Sequence, residues 1–375
     1  MTRLNLYITL IFLSFSTITL SGRNHPDSLL SVDGPYLFHL DGGGIRIVTT
    51  DSSQQIDTTM YQSMPENLTL HITDHEGNNG FDVTLHDIAR PDWKYEKPDK
   101  LFIMSDPHGR MDCFLSVLKG NGIIDNDLNW NFGNGHLVII GDVADRGDDV
   151  TQIYWLIYKL EYEADCAGGK VHFLIGNHET LLLMDDLRYT NAKYKTLAKR
   201  TGHKYPYFWS VDTELGRWLC TRNTIELIGN DLFVHAGLST DMVKRNLSIP
   251  FVNEMVSKGL FLSKKERQHR AELIYFLFRS NGPVWYRGLV LDEEKYFPAT
   301  NDDLDTILKF YRADRIFVGH TIFDEISTFY NGKVIAVNVD NPENMAKGTS
   351  RAILIQSDTL SIVGDNGVRL LSTKD

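Results

Sequence analysis

Short apolar runs alternate with polar turns through most of the chain, and their pattern differs between two regions. Before residue 91 the runs alternate apolar and polar residues around glycine-containing turns. Residues 36–40 and 45–48 flank a glycine turn in this way and predict an antiparallel hairpin. Residues 68–72 and 81–85 predict a second hairpin. Half-exposed strands of this kind indicate a small all-β module.

From residue 100 onward the pattern changes to repeated units of strand, loop and helix, which indicates a layered α/β fold. Buried strands are predicted at residues 101–104, 137–140, 171–175, 232–234, 315–318, 334–340, 352–356 and 359–363. Helices are predicted at residues 111–119, 148–163 and 180–187. The segments 181–230 and 241–312 contain charged helical stretches without ligand-type motifs, and we interpret them as walls or a roof around a site.

Ligand-type side chains follow several of these strands directly. The central motif is Gly141-Asp142-Val143-Ala144-Asp145-Arg146-Gly147, after the strand at 137–140. The other four motifs, in chain order, are Asp106-Pro107-His108, Gly176-Asn177-His178-Glu179, His235-Ala236-Gly237 and Gly319-His320. Sites in layered α/β folds form where strand ends meet loops, so we expect these motifs to converge. Each motif alone also fits a plain turn or a core histidine, but five in this order predict a metal centre.

Carboxylate, amide and imidazole groups are ligands that zinc, iron and manganese all accept, so the metal identity is not predicted. The carboxylates of Asp142 and Asp145 would repel each other strongly without a positive charge nearby. If Asp142 is shared between two ions, they lie roughly 3.5–4 Å apart, and a hydroxide between them is a nucleophile at neutral pH. We therefore expect two divalent or trivalent metal ions (Mn, Fe or Zn) as cofactors.

This order of motifs resembles the calcineurin-like metallophosphoesterases. The Asp-Arg-Gly form at 145–147 and the Asn-His-Glu form at 177–179 resemble the phosphoprotein phosphatase branch. Residues 168–172, 186–189 and 282–288 are further similar to the Shewanella-like protein phosphatases. The resemblance covers about residues 100–340 and leaves the N-terminal β module outside. It implies an α/β fold with a metallophosphoesterase-type layered β-sandwich flanked by helices.

The resemblance also implies a role for each motif residue. Two metals would share Asp142, and their ligands would be Asp106, His108, Asp142, Asn177, His235 and His320. His178 would protonate the leaving oxygen or stabilise its charge, oriented by Asp145, and would not bind metal. Arg146 and Arg287 would bind the phosphate oxygens.

Three positions depart from the family pattern. Ser105 and Ala236 stand where glycine is usual, and Arg110 stands where many members have an acidic or amide residue. None of these changes removes a ligand, so we expect an active phosphomonoesterase. Its expected substrate is a phosphorylated protein or peptide, on phosphotyrosine or phosphoserine/threonine, or a small phosphoester. The alternatives are a nucleotide or dinucleoside polyphosphate hydrolase, whose relatives usually carry Asn-His-Asp, and a catalytically inactive binding module.

Composition narrows the class of partner. The chain of 375 residues carries a formal net charge of -11, which disfavours a nucleic-acid partner. Cys113, Cys166 and Cys220 are odd in number and far apart, so no disulfide framework is predicted, although one bridge stays open. His71 and two further histidines of the β module, at 75 and 86, lack ligand spacing and are expected at the surface.

The N-terminus indicates export. Arg3 precedes an apolar run at residues 4–20 that ends in small residues, as in a secretory signal peptide. We expect a periplasmic or secreted protein that meets no membrane, unless this run stays as an uncleaved anchor. The predicted division is a signal peptide at 1–22, the β module and a linker at 23–99, and the catalytic domain at 100–375.

Overall fold

The computed structural model describes residues 30–367 and 369–370. The strands are β1 (Asp33–His39), β2 (Ile45–Thr50), β3 (Ile56–Tyr61), β4 (Thr69–Ile72), β5 (Phe81–Thr84), β6 (Lys94–Tyr95), β7 (Lys100–Met104), β8 (His136–Ile139), β9 (Lys170–Phe173), β10 (Ile225–Ile228), β11 (Asp231–Val234), β12 (Arg315–Val318), β13 (Ser327–Phe329), β14 (Val334–Ala336), β15 (Ala352–Gln356), β16 (Thr359–Val363) and β17 (Arg369–Leu370).

The helices of the described residues are α1 (Met111–Gly120), α2 (Val150–Cys166), α3 (Asn177–Leu183), α4 (Ala192–Thr201), α5 (Glu214–Thr221), α6 (Thr240–Lys244), α7 (Ile249–Gly259), α8 (Lys264–Arg270), α9 (Glu272–Leu277), α10 (Asn301–Tyr311) and α11 (Asn341–Lys347). The protein is therefore a mixed α/β fold, as predicted. The predicted signal peptide at 1–22 lies outside the described residues.

Two six-stranded sheets form the main body, in the orders β17-β16-β15-β7-β8-β9 and β13-β14-β12-β11-β10-β6. Strands β7, β8 and β9 are parallel to one another, and so are β11, β12 and β14. The two sheets pack face to face, because alternate residues such as Ile103 and Val138 share one core with Phe233 and Phe317. The predicted layered β-sandwich is confirmed.

The opposite face of the first sheet packs on helices. Phe102 and Leu137, which alternate with the sandwich residues, belong to the large core that also contains Phe114 of α1 and Trp155 of α2. Both faces of these strands are therefore buried, which is why they read as continuous apolar runs. The helices fix the sheet in place, and the polar loops after β7, β8 and β9 reach the same edge.

Several elements differ from the sequence-based prediction. Strand β10 lies inside the segment interpreted as helical, where it pairs with β11 through a Gly229-Asn230 turn. The strand predicted at 334–340 ends at Ala336, and the helix predicted at 180–187 begins at Asn177 and ends at Leu183. Strands β3 and β13 were not predicted, because most of their residues are exposed or half-buried and lack an apolar face.

The N-terminal module contains a β1-β2-β3 sheet and the separate β4-β5 hairpin, which confirms both predicted hairpins. It packs on the main body, since Trp155 Nε1 donates to the carbonyl of Pro35 at 2.8 Å. The linker region is also anchored, because β6 pairs in parallel with β10. His71 is exposed as predicted, whereas His75 is half-buried and its backbone and ring nitrogens contact the carboxylate of Asp149 at 2.6 and 2.8 Å. The surface prediction is also wrong for His86, which is half-buried and stacks on the Tyr158 ring with a centroid distance of 3.9 Å.

The three cysteines are free thiols, with Cys113 buried and Cys220 half-buried. Across residues 30–367 and 369–370, no helix has both the length and the apolarity needed to cross a bilayer.

Candidate active site

The predicted site residues lie in sharply turning loops after the central strands. Many of them adopt positive φ angles, from 45° at His108 to 71° at Asp145. The residues that share this left-handed conformation are Asp106, His108, Asp142, Asp145, Arg146 and His320. Such a conformation costs about 1–3 kcal/mol for a residue other than glycine and persists only where the surroundings enforce it. Its clustering here marks the edge of the sandwich as a functional site.

Two glycines allow the loops to approach one another. A Cβ atom at Gly176 would lie 2.2 Å from the Asp142 carboxylate, and one at Gly319 would lie 2.0 Å from the hydroxyl of Ser105. Any side chain at either position would push the loops apart. The motif glycines are therefore required by the close packing of the site.

Asp142 lies at the centre of the site. Its Oδ1 accepts a hydrogen bond from the backbone N–H of His178 at 2.9 Å. Its Oδ2 lies 3.2 Å from Nε2 of His235 and 3.9 Å from Nε2 of both His108 and His178. Three imidazoles thus converge on one carboxylate oxygen.

Two groups of buried side chains have the geometry to hold a metal ion, and both contain Asp142. One group also contains His108 and His178, and the other also contains His235 and His320. Within each group the potential ligand atoms lie within 4.8 Å of one another. A carboxylate shared by two ligand groups is the arrangement that a dinuclear site needs.

The remaining predicted ligands lie beside these groups. Asn177 Oδ1 is 2.9 Å from Nε2 of His235. Asp106 Oδ2 accepts from the Asn338 side-chain amide at 2.8 Å, and its Oδ1 accepts from the backbone N–H of His320 at 3.2 Å. The Ser105 hydroxyl also donates to Asp106, so serine at this unusual position contacts a predicted ligand directly.

The charges of the buried groups suit metal binding. Burial raises the pKa of the Asp106 carboxyl to about 7, and the nearby Asp142 carboxylate adds to this effect. Burial also lowers the pKa of His108 to about 3 and holds that of His320 well below its usual range. Asp142 is also buried, but the neighbouring His235 and His178 hold its pKa well below the usual range.

The donor set fits a metal ion. His320 Nε2 is buried and has no hydrogen-bond partner in the part of the chain that the structure describes. A buried polar atom without a partner is costly unless something else binds it, and a neutral imidazole nitrogen is a common metal ligand. Protons and metal ions compete for the same atoms of such a cluster, so bound ions would replace the protons.

His178 is held on its other side by a chain of hydrogen bonds. Its Nδ1 lies 2.7 Å from Asp145 Oδ2, and the hydroxyl of Thr190 donates to Asp145 Oδ1 at 2.7 Å. Burial alone would lower the pKa of His178, but Asp142 and Asp145 outweigh burial and raise it. With Nδ1 fixed by Asp145, Nε2 is the nitrogen that faces Asp142.

The two predicted arginines line one cavity of about 290 Å³ together with Asp106, His108 and His320. Arg146 is exposed at its rim. Arg287 is half-buried, and its Nη1 donates to the hydroxyl of Thr321 at 2.8 Å. The ten predicted site residues therefore form one continuous cluster, with the arginines at the entrance and the ligand groups beneath.

Glu179 was quoted in the sequence motif but given no role, and the structure shows that it joins two loops. Its carboxylate accepts from the backbone N–H groups of Gly176, Asp142, Val143 and Ala144 at 2.7–3.0 Å and from the Tyr154 hydroxyl at 2.7 Å. The sequence did contain a signal for this role. Glu179 is the third residue of the helix that begins after Gly176, and a glutamate at that position commonly accepts a hydrogen bond from the backbone N–H of the residue before the helix.

Asn338 and Asn341 were also missed. Asn338 bonds the Asp106 carboxylate, and the Asn341 amide donates to the Asp106 carbonyl at 3.2 Å. More than 230 residues separate these partners in the sequence, so no local pattern indicates them.

Comparison with known proteins agrees with this geometry. The sequence model of the calcineurin-like phosphoesterase family matches residues 100–323, which contain every predicted site residue. The chain belongs to the calcineurin-like phosphoesterase family. It is a metal-dependent phosphatase that hydrolyses phosphoric monoesters.

Individual proteins are also similar to this chain over most of its length. The chain is 27% identical to Shewanella-like protein phosphatase 2 of Arabidopsis thaliana, over 75% of this chain and 79% of that protein. It is 30% identical to an uncharacterized protein of Schizosaccharomyces pombe, over 72% of this chain and 81% of that protein.

A solved structure is similar over most of the chain. The crystal structure of a cold-active protein-tyrosine phosphatase from a psychrophilic Shewanella species superposes with a TM-score of 0.81 at 32% identity. It covers 92% of this chain and 99% of that one. Residues 100–375 make up less than three quarters of the chain, so the likeness extends into the β module. The sequence-based resemblance had stopped at the catalytic region.

Proposed function

We propose that this phosphoesterase is a dinuclear phosphoprotein phosphatase and that phosphotyrosine is its preferred residue. The observation that carries the proposal is the position of Asp142, which belongs to both buried ligand groups beneath a cavity lined by Arg146 and Arg287. The similarity to a Shewanella protein-tyrosine phosphatase along 92% of the chain supports the choice of residue.

The metal ions would be held by Asp106, His108, Asp142, Asn177, His235 and His320. When bound, two such ions supply a nucleophile from water at neutral pH and stabilise negative charge on a phosphoryl group. Arg146 and Arg287 would bind the outer phosphate oxygens, since a planar guanidinium offers two parallel donors to such a group.

His178 would protonate the leaving oxygen of the substrate. Asp145 and Thr190 hold its Nδ1 side, so that Nε2 carries the transferable proton. His178 also has the geometry of a ligand in the first metal group. The two roles differ in a measurable way, because a ligand variant loses metal whereas an acid variant retains it.

Three substrates test the proposal with the metal-loaded enzyme: a phosphotyrosine peptide, its phosphoserine twin and diadenosine tetraphosphate. We expect the highest kcat/KM on the phosphotyrosine peptide, a lower value on phosphoserine and little turnover of the dinucleotide. Faster turnover of the dinucleotide would favour a polyphosphate hydrolase instead. Absence of turnover on all three substrates would favour an inactive binding module.

We also propose that the enzyme is exported, on the basis of the apolar run at residues 4–20 behind Arg3. N-terminal sequencing of the exported protein should begin near Arg23. An intact Met1 on protein from the membrane fraction would favour an uncleaved anchor.

A further inference from the structure

A second cavity, of about 330 Å³, adjoins the metal centre and shares no lining residue with the first. Two aromatic side chains connect it to His178 and to the predicted metal ligand His320. The Tyr189 ring lies 5.1 Å from the ring of His178, and the Trp285 ring lies 5.6 Å from the ring of His320. Both aromatic residues also line the cavity, so a peptide segment beside a bound phosphorylated residue can enter it.

The cavity lining is basic. Its charged residues are Asp186, Arg188, Lys264, Arg267 and Arg279. Asp186 already pairs with Arg188 through two contacts of 2.5 and 2.8 Å. Lys264 and Arg279 are exposed and form no ion pair within the described residues. A net positive surface therefore faces the space next to the catalytic centre, in a protein whose overall charge is negative.

Arg267 is the unusual member of this lining. Its side chain is 2% exposed and forms no ion pair within the described part of the chain. Its Nε and Nη2 donate to the carbonyls of Gly259 and Leu260 at 2.9 and 3.1 Å, and its Nη1 contacts the Met184 sulfur at 3.5 Å. Its guanidinium also lies over the Phe278 ring, 3.5 Å from the ring centroid, but no carboxylate of the described residues neutralises it. Burial lowers its pKa to about 9. A buried cation without a counter-ion is costly to the folded protein, and an anion in the cavity would relieve that cost.

We propose that this cavity binds a carboxylate of the substrate, from an aspartate or glutamate near the phosphorylated residue in the peptide. The inference rests on the proposed phosphopeptide activity and adds its sequence preference. Lys264 and Arg279 attract the acidic segment at the entrance, and Arg267 supplies the buried positive charge that the carboxylate neutralises.

Matched peptides test the preference. Each peptide contains one phosphotyrosine and one glutamate. The glutamate is placed in turn at each of the three positions before the phosphotyrosine and each of the three positions after it. Each peptide is paired with a control peptide that has glutamine in place of the glutamate. The readout is the ratio of kcat/KM for the glutamate peptide to that for its twin. This ratio does not depend on the fraction of active enzyme. A charge-assisted hydrogen bond is worth roughly tenfold, so we expect a ratio of about ten at one or two adjacent positions.

Reversing the charges at the cavity entrance tests whether the preference for glutamate arises there. In the double variant Lys264→Glu/Arg279→Glu we expect the ratio to fall to about one or below, because a carboxylate is then repelled. Lys265→Glu is the matched control, since Lys265 is the exposed neighbour on the same helix and does not line the cavity. It should keep the wild-type ratio. Arg267 is unsuited to this test, because its hydrogen bonds to the carbonyls of Gly259 and Leu260 also support the local fold.

The outcomes separate this inference from the proposed function. Hydrolysis of the peptides with ratios near one at all positions would overturn the carboxylate site and leave the phosphatase proposal intact. If the Lys265→Glu control lowered the kcat/KM ratio as much as the double variant does, the carboxylate site would also be overturned, because the preference for glutamate would then depend only on the overall charge of the enzyme. A peptide series in which a non-hydrolysable phosphonate analogue of phosphoserine replaces glutamate identifies the anion source. A larger kcat/KM ratio in that series would assign the cavity to a second phosphate and overturn the carboxylate.

Discussion

Replacement of Glu179 by glutamine should separate the two loops that carry Asp142, Asn177 and His178. One carboxylate oxygen of Glu179 accepts from Val143 N, Ala144 N and the Tyr154 hydroxyl, and the other accepts from Gly176 N and Asp142 N. The glutamine amide has only one acceptor oxygen. Its NH₂ group then faces the donors that the second carboxylate oxygen had accepted from. At least two N–H groups then lose their acceptor.

The magnitude follows from that count. A hydrogen bond to a charged group contributes about 1.5–3 kcal/mol, so the loss of two such bonds should cost roughly 3–6 kcal/mol of unfolding free energy. Substitution of a residue that positions a metal ligand typically weakens metal affinity by about 10–100-fold. We therefore expect Glu179→Gln to bind both metals at least about tenfold more weakly, with a large fall in Tm.

The assay is a metal titration of the metal-free protein by calorimetry, with thermal unfolding measured on the same samples. Tyr154→Phe is the matched control, because it removes a single donor to the same carboxylate and should cost about 1.5–3 kcal/mol, half of the loss expected for Glu179→Gln. Its metal affinity should stay close to wild type. If Glu179→Gln binds metal as tightly as Tyr154→Phe does, Glu179 does not position the site.

Further variants test individual side chains. His178→Ala should retain both metals and lose about 10²–10⁴-fold in kcat/KM on an alkyl phosphate, but far less on nitrophenyl phosphate, whose leaving group needs no proton. An equal loss across leaving groups of graded pKa would exclude the acid role. Arg287→Ala should raise KM and lower kcat/KM similarly for every leaving group; a loss that grows with leaving-group pKa would contradict phosphate binding. His75→Ala removes the ring contact to Asp149 and should lower stability by about 1 kcal/mol at unchanged metal content; an unchanged Tm would show that the contact is not stabilising.

The sequence was sufficient for the parts of the fold and site that depend on local pattern. Strand β12 begins and ends at the predicted residues, because its apolar run is bounded by polar residues and a glycine. The five motifs were found because each pairs a buried strand with ligand-type side chains. Strand β10 could also have been found, since the Gly229-Asn230 turn between Leu227-Ile228 and Asp231-Leu232 is a hairpin signal. The glutamate at its second position obscured the strand pattern.

Other features depend on contacts between distant parts of the chain. Asn338 reaches Asp106 only because β14 and β7 belong to two sheets that the sandwich brings together. The buried charge of Arg267 is similarly invisible in the sequence, where it belongs to the strongly charged segment of α8 and looks like a solvent-exposed residue. Burial and partner choice are tertiary properties, and residue spacing does not encode them.

Metal stoichiometry is the most direct test of the dinuclear centre. Elemental analysis of purified protein, with phosphotyrosine-peptide turnover measured on the same preparation, should give two metal ions per chain in fully active enzyme. The Asp142→Asn variant should lose both ions and nearly all activity, because Asp142 belongs to both ligand groups. One ion or none per chain in fully active enzyme, or a fully active Asp142→Asn variant, would contradict the shared-carboxylate site.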